Sequence, residues 1–225
     1  ENPLDNRCAL VTGGGRGVGR EIARMLASEG MKVCVAARSR DEIEAVREEL
    51  EEEFSVSALA VPVDLRDESS IRQLRRTVEL QFGCLDVLVN NAGTASRTPL
   101  EDTSTAEWDR MMEVNARGPF LMCRECIPLL RGSDRPFIVN VASVVGVKGY
   151  MRQAAYTASK HALVGMTKVL AKELEDDGVR VHLISPGGIA TDMVREMRPD
   201  LDESILMQPG EIADIVRFLL TRQGN

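Results

Sequence analysis

Six short runs rich in Val, Ile, Ala and Leu alternate along this chain with longer stretches of helical periodicity, and that alternation leaves few folds open. The apolar runs fall at 8–11, 32–37, 56–62, 86–90, 137–142 and 179–184. The helical stretches fall at 18–29, 41–53, 67–82, 105–130, 156–176 and 211–221. Runs that are apolar at successive positions belong to strands covered on both faces. Such strands with helices between them make βαβ units, and right-handed crossovers wind those units into a doubly wound parallel sheet. The expected fold class is therefore α/β. No linker, repeat or second composition is visible, so residues 1–225 read as a single domain with one core.

An open parallel sheet binds its ligands outside the carboxyl ends of its strands. The residues at those ends are therefore the informative ones. After the first run comes Thr12-Gly-Gly-Gly-Arg-Gly-Val-Gly19, which leads straight into a helix. A strand, a glycine loop and a helix N-terminus make an anion site, since free backbone N–H groups and the helix dipole face the ligand. Gly13, Gly17 and Gly19 let the backbone turn and approach a pyrophosphate; Gly15, Arg16 and Val18 complete the loop. The spacing T-G-x-x-x-G-x-G differs from both G-x-G-x-x-G and the lysine-bearing P-loop. The fourth run ends in Asn90-Asn-Ala-Gly93, where Asn91, Ala92 and Gly93 offer little bulk beside a cofactor. The fifth ends at Ser143, placed to donate a hydrogen bond to a substrate oxygen; the plain alternative is a helix N-cap.

Tyr156-Thr-Ala-Ser-Lys160 puts a phenol and an ammonium one turn apart on a helix face. Free tyrosine titrates near ~10, too high for easy proton exchange at neutral pH. A neighbouring cation favours phenolate, so Lys160 is expected to lower the Tyr156 pKa and make it a general acid/base for an alcohol or carbonyl oxygen.

Taken in order, Thr12 to Gly19, Asn90 to Gly93, Asn115, Ser143, Tyr156 with Lys160 and Pro186-Gly187 resemble the short-chain dehydrogenase/reductase family over residues 8 to about 192. The resemblance implies a Rossmann-like sheet of order 3-2-1-4-5-6. It also implies a seventh strand after the last helix. That strand would begin where this chain stops, at Asn225, so it is expected to be missing. The opening Glu1-Asn-Pro-Leu-Asp5 has no initiator Met, and the natural N-terminus is expected upstream. By the same resemblance, Asn115, Ser143, Tyr156 and Lys160 form the catalytic set. Asn115 holds a relay water; Lys160 also binds the nicotinamide ribose. Asp64 and Leu65 meet adenine, and Pro186, Gly187, Ile189 and Thr191 face the nicotinamide. Asn90 and Thr12 are read as structural, Thr12 bonding the neighbouring strand end.

Charge argues for the cofactor. An acidic residue closing the second strand would bind the ribose 2′-hydroxyl of NAD and repel a 2′-phosphate. Here Ala37-Arg38-Ser39-Arg40 stands there, with Arg16 across the loop. Two guanidiniums suit a phosphate through paired charge-assisted bonds, so NADP(H) is expected, with Arg38 and Ser39 in its site.

The chain carries a net charge of −7, against nucleic acid or an anionic membrane as partner. No apolar run approaches the ~20 residues of a membrane span, and no signal pattern opens it. Five cysteines, with no signal segment, read as reduced thiols in the cytoplasm. Cys123-Arg-Glu-Cys126 lies inside a helical pattern and lacks the context of a redox or metal motif. No metal is expected.

The resemblance implies a small carbonyl or secondary alcohol as substrate. Its walls are expected from Thr94–Thr98, Val144–Gln153 and Met193–Met207, the last either an adaptable methionine-rich lid or plain core packing. Within the family the likeness runs to 3-oxoacyl-thioester reductases, through Val141-Ala-Ser-Val-Val-Gly146. This makes an acyl-carrier protein a candidate partner. Lys168, Lys172, Arg131 and Arg135 would form its basic rim; Glu173, Glu175, Asp176, Asp177 and Asp134 oppose it. Phe120, Leu121, Met122, Leu163, Met166 and Leu170 make two helices apolar on more than one face, and in the resembling family these helices pair about a two-fold axis. A homodimer or homotetramer is expected. A sugar-nucleotide epimerase shares the Tyr–Lys pair but carries other glycine spacing and a further domain. A non-catalytic dinucleotide sensor would have a broken catalytic set, and this one is whole.

Overall fold

The computed structural model of the protein describes residues 2–222. Six parallel strands form one sheet in the order β3-β2-β1-β4-β5-β6. They are β1 Cys8–Thr12, β2 Lys32–Ala37, β3 Ala58–Pro62, β4 Val87–Asn90, β5 Phe137–Val141 and β6 Arg180–Ile184. The helices between them are α1 Gly17–Ser28, α2 Arg40–Phe54, α3 Glu68–Phe82, α4 Thr105–Met112, α5 Gly118–Leu130, α6 Ala154–Glu173, α7 Asp192–Met197 and α8 Pro209–Thr221. The α/β class and the strand order are as expected. The seventh strand falls outside the described residues.

Alternation within each strand divides the core in two. Ala9 and Val11 of β1, Val33 and Val35 of β2, and Val87 and Val89 of β4 point to one face, under Ile22, Leu26, Ile212 and Val216 of α1 and α8. Leu10, Cys34 and Leu88 point to the other, under Ile71 and Leu74 of α3 and Leu121, Met122 and Cys126 of α5. Burying a Leu or Ile side chain contributes about 2 kcal/mol, and a one-residue register slip would swap the two sets between faces and misfit each against its helices. Cys123 and Cys126 sit in this second core as small apolar groups, and burial pushes the Cys123 thiol up to about 12.

Most boundaries shift from the sequence reading by one to three residues, as where α6 runs 154–173 rather than 156–176; two of the differences bear on the site. The third strand starts at Ala58 rather than 56, and the stretch 105–130 is not one helix. Between α4 and α5 lies a π-helical turn, Glu113–Arg117, in which the Gly118 N–H bonds back to the Glu113 carbonyl. Pro119 brings no N–H to the ladder. Gly118 also lies so close to Leu65 that a β-carbon there would meet Leu65 Cβ at 3.0 Å. Asn115 sits inside this turn and is fully buried.

Candidate active site

The carboxyl ends of all six strands open into one cleft of about 650 Å³. Its wall follows the strand order. Gly13, Gly15, Arg16 and Val18 follow β1; Arg38 and Ser39 follow β2; Asp64 and Leu65 follow β3. Asn91, Ala92 and Gly93 follow β4, Ser143 follows β5, and Pro186, Gly187, Ile189 and Thr191 follow β6. Tyr156 and Lys160 enter from the first turns of α6. Of the residues expected to touch substrate or cofactor, Gly17, Gly19 and Asn115 do not line this wall.

β1 and β4, the strands at which the winding direction reverses, are stitched together by Thr12. Its hydroxyl donates to the Val89 carbonyl at 3.3 Å and accepts the N–H groups of Asn91 and Ala92 at 3.1 and 3.2 Å. The Asn91 amide returns two bonds, to the carbonyls of Thr12 and Gly13 at 3.1 and 3.3 Å. Gly13 turns with φ of +67°, and a β-carbon on it would stand 2.8 Å from Ala92 Cα. A β-carbon on Gly19 would run into the Gly13 carbonyl. Both positions therefore admit only glycine, and the loop stays open at the N-terminus of α1, where free N–H groups face the cleft. That cradle is what a dinucleotide pyrophosphate requires.

Asn90 is structural, as expected. Its amide donates to Asn140 Oδ1 at 2.9 Å, and Asn140 donates in turn to Thr167 Oγ1 at 2.9 Å. Asn115 does something the sequence did not indicate. Its Oδ1 accepts the Thr94 N–H at 2.8 Å and its Nδ2 donates to the Thr94 carbonyl at 2.8 Å. A third bond runs from Nδ2 to Ser159 Oγ at 3.0 Å. Both ends of the side chain thus clamp the loop beyond β4.

Lys160 is 4% exposed, and its ammonium donates to the Val141 carbonyl at 3.0 Å. Burial pulls its pKa down to about 8. Tyr156 corrects an expectation. Its phenol is held above the ordinary value by burial, and the Ser143 hydroxyl beside it offsets only part of the rise. Ser143 also caps the short turn Val144–Gly146, its oxygen accepting the Val145 N–H at 3.3 Å. The cap reading and the catalytic reading of this serine are therefore compatible.

At the far end, Arg16 and Arg38 both reach the cleft. Ser39 is the N-cap of α2, accepting the Glu42 N–H at 3.5 Å. Asp64 is engaged by Arg66 at 2.7 Å, which lowers its pKa; it is not a helix cap, since Asp67 caps α3. Glu42, Arg66 and Arg110 line the cleft without having been anticipated. Glu42 had a signal: Ser39-x-x-Glu42 reads as a capping box. Its carboxylate instead turns to Arg16, 3.9 Å away.

Within the segment Met193–Met207, only Met207 packs against the core, and α7 does not. None of the residues of α7 is buried, and Met193 and Val194 line the cleft. Its base is tied down by Met207, whose N–H donates to the Gly188 carbonyl at 3.0 Å and whose carbonyl accepts from Ala190 at 2.8 Å.

Comparison with known proteins agrees with this geometry. The short chain dehydrogenase family model matches residues 7–202. The 3-oxoacyl-[acyl-carrier-protein] reductase FabG of Staphylococcus epidermidis is 36% identical, over 95% of this chain and 91% of its own. An alcohol dehydrogenase of the archaeon Thermococcus sibiricus, solved with 5-hydroxy-NADP, superposes with a TM-score of 0.91 at 29% identity, covering 97% and 92% of the two chains. A short chain dehydrogenase of Shigella flexneri solved with NADP gives 0.93 at 30% identity, covering 99% and 94%. The chain belongs to the short chain dehydrogenase family of oxidoreductases.

Proposed function

We propose that this protein is an NADP(H)-dependent dehydrogenase/reductase that interconverts a carbonyl and a secondary alcohol. The observation that carries this reading is the convergence of Ser143, Tyr156 and Lys160 on one wall of a cleft whose other end is a glycine cradle beside two arginines. A bound nicotinamide would supply or accept the hydride at the carbonyl carbon. The chain's own residues do the rest. Ser143 and Tyr156 donate to the substrate oxygen and hold the charge that develops there. Tyr156 is the group that gives up or takes the proton at that oxygen. Lys160, with its one charge already desolvated, would bind ribose hydroxyls, with Gly93 beside it; a β-carbon on Gly93 would lie 3.6 Å from the ammonium. Asn115 holds Thr94, and so the Asn91–Gly93 wall, in place. Glycine-loop amides would hold the pyrophosphate, Asp64 and Leu65 the adenine, and Pro186, Gly187, Ile189 and Thr191 the nicotinamide side. Arg16, Arg38 and Ser39 would hold the 2′-phosphate.

The substrate we infer is a small ketone, diketone or 3-oxoacyl thioester. Likeness to a 3-oxoacyl-[acyl-carrier-protein] reductase puts thioesters first. The expected basic rim for a carrier protein is thinner than its composition: Arg131 pairs with Asp177 at 2.7 Å, and Arg135 is spent on the Leu220 and Arg222 carbonyls. Lys168 and Lys172 stay exposed on α6. We read the protein as a cytoplasmic homodimer at least. Leu121, Met122, Leu163 and Leu170 are buried by the chain itself, which leaves Phe120 and Val169, 46% and 55% exposed, for a partner helix pair. Among the described residues no helix is long and apolar enough to cross a membrane.

The deciding experiment follows NADPH absorbance with purified protein against ketones, diketones and acyl thioesters. Turnover of one class supports the reading. NADPH binding with no turnover of any would make the protein a sensor.

A further inference from the structure

We propose that Cys8 and Cys84 are an oxidisable pair that a hydroperoxide converts to an intramolecular disulfide, at the edge of the sheet opposite the cleft. Their sulfurs lie 3.0 Å apart. Cys8 is the first residue of β1, and Cys84 lies in the connector between α3 and β4. The two are brought together by Asp86. Its N–H donates to the Cys8 carbonyl at 2.8 Å, and its carboxylate accepts the Cys8 N–H at 2.7 Å. The carboxylate is itself fixed by Arg7 at 3.2 Å and Ser133 at 2.5 Å. The sulfurs need to close by only about 1 Å to reach bonding distance. The connector has room to give: Gly83, just before Cys84, faces open space.

Access differs between the two thiols. Cys84 is the one cysteine of five that is not fully buried, and Cys8 is 0% exposed. Burial raises the Cys8 pKa, which keeps it a thiol until a partner sulfur is presented. The order of events follows. The Cys84 sulfur attacks a peroxide oxygen; the O–O bond breaks, leaving a sulfenic acid on Cys84 and one water or alcohol. The Cys8 sulfur then attacks Cys84; the S–S bond forms, the S–O bond breaks, and the thiol proton leaves with the departing hydroxide as water. The two sulfurs lose two electrons in total and the peroxide gains them.

A metal fits these atoms less well, although Cys8, Cys84 and Asp86 offer ligands within 4.8 Å of one another. Tetrahedral zinc with bonds of ~2.3 Å would hold its two sulfurs about 3.8 Å apart. Both carboxylate oxygens of Asp86 are also already in hydrogen bonds.

The cross-link would join residues 76 apart in sequence, from the start of β1 to the connector that leads into β4, and the other ends of both strands carry the cleft. It is therefore expected to stabilise the fold and leave the site unchanged. The test treats the full reduced chain with stoichiometric hydrogen peroxide, then maps peptides by mass spectrometry without reductant and records thermal melts. The expected product is a Cys8–Cys84 cross-linked peptide lighter by two hydrogens, with a midpoint several degrees higher, reversed by dithiothreitol and absent from Cys84→Ser. Recovery of Cys84 as a free thiol, as sulfinic or sulfonic acid with Cys8 unlinked, or joined to another cysteine would overturn the proposal. So would protection of both thiols by co-purified zinc. In Cys8→Ala, a second equivalent of peroxide should carry Cys84 through sulfenic to sulfinic acid; an unreacted Cys84 there would equally count against it.

Discussion

The ammonium of Lys160 sits 3.0 Å from the carbonyl oxygen of Val141, at the end of β5, and is almost wholly out of water. The same lysine one turn from a tyrosine was legible in the sequence; its partner was not. In the folded chain its pKa falls from 10.5 to about 8. The folded state therefore binds this proton less tightly than the unfolded one, and stability rises as pH climbs from about 8 toward 10.5. Below that window, keeping the buried ammonium charged costs about 3 kcal/mol, since each tenfold change in proton affinity is worth roughly 1.4 kcal/mol. Lys160→Met should gain about 1–3 kcal/mol at pH 7, with a gain that shrinks toward pH 10. Urea unfolding followed by circular dichroism at several pH values checks this. A variant less stable than the parent at pH 7 would contradict it.

Tyr156→Phe removes one oxygen from the cleft and leaves the cradle intact. NADPH affinity should stay within about twofold, while kcat falls by about 10²–10⁴, the usual share of a general acid. Retained turnover would remove Tyr156 from its role.

Arg38 and Glu42 carry opposite charges into one end of the cleft. Arg38→Asp should weaken NADPH by about 10–100-fold and NADH by far less, since charge-assisted bonds contribute about 1.5–3 kcal/mol. Glu42→Gln frees Arg16 from its partner and removes a repelling carboxylate. It should tighten NADPH by up to about fivefold, the size of an exposed ion pair, and leave NADH unmoved. Calorimetry with both nucleotides decides it; equal effects on the two would sink the 2′-phosphate assignment.

Asn115→Ala leaves the N–H and C=O of Thr94 without the partners they now meet at 2.8 Å. Lost buried hydrogen bonds should cost about 2–3 kcal/mol of stability. Because Gly93 and Thr94 line the cleft, kcat should fall about tenfold alongside. A Tm and a kcat both equal to the parent's would show the clamp to be idle.

The strand ends explain how much of the site could be read in advance. Thr12, Asn91, Ser143 and Pro186 each follow an apolar run, and a parallel sheet gathers every such end on one edge whatever the helices do. Glu42, Arg66 and Arg110 follow no such rule. Glu42 belongs to a helix start whose local pattern is satisfied by a cap, and its turn toward Arg16 depends on how α2 lies against the glycine loop. The π-helical turn at Glu113–Arg117 escaped for a related reason. Apolar periodicity is nearly the same on either side of it, and only the close approach of Gly118 to Leu65 reveals the crowding.

The amino-acid order alone determined the sheet, its winding and the ligand edge, because hydrophobic period and glycine placement act over a few residues and outweigh any single distant contact. Tertiary structure alone decided the charge states and the clamps. Whether a phenol is raised or lowered depends on how much water burial removes and where a neighbouring ammonium points. Whether two thiols separated by 76 residues can meet depends on an aspartate that bridges two strands. Desolvation and long-range hydrogen bonds are properties of packed space, and a linear sequence does not display them.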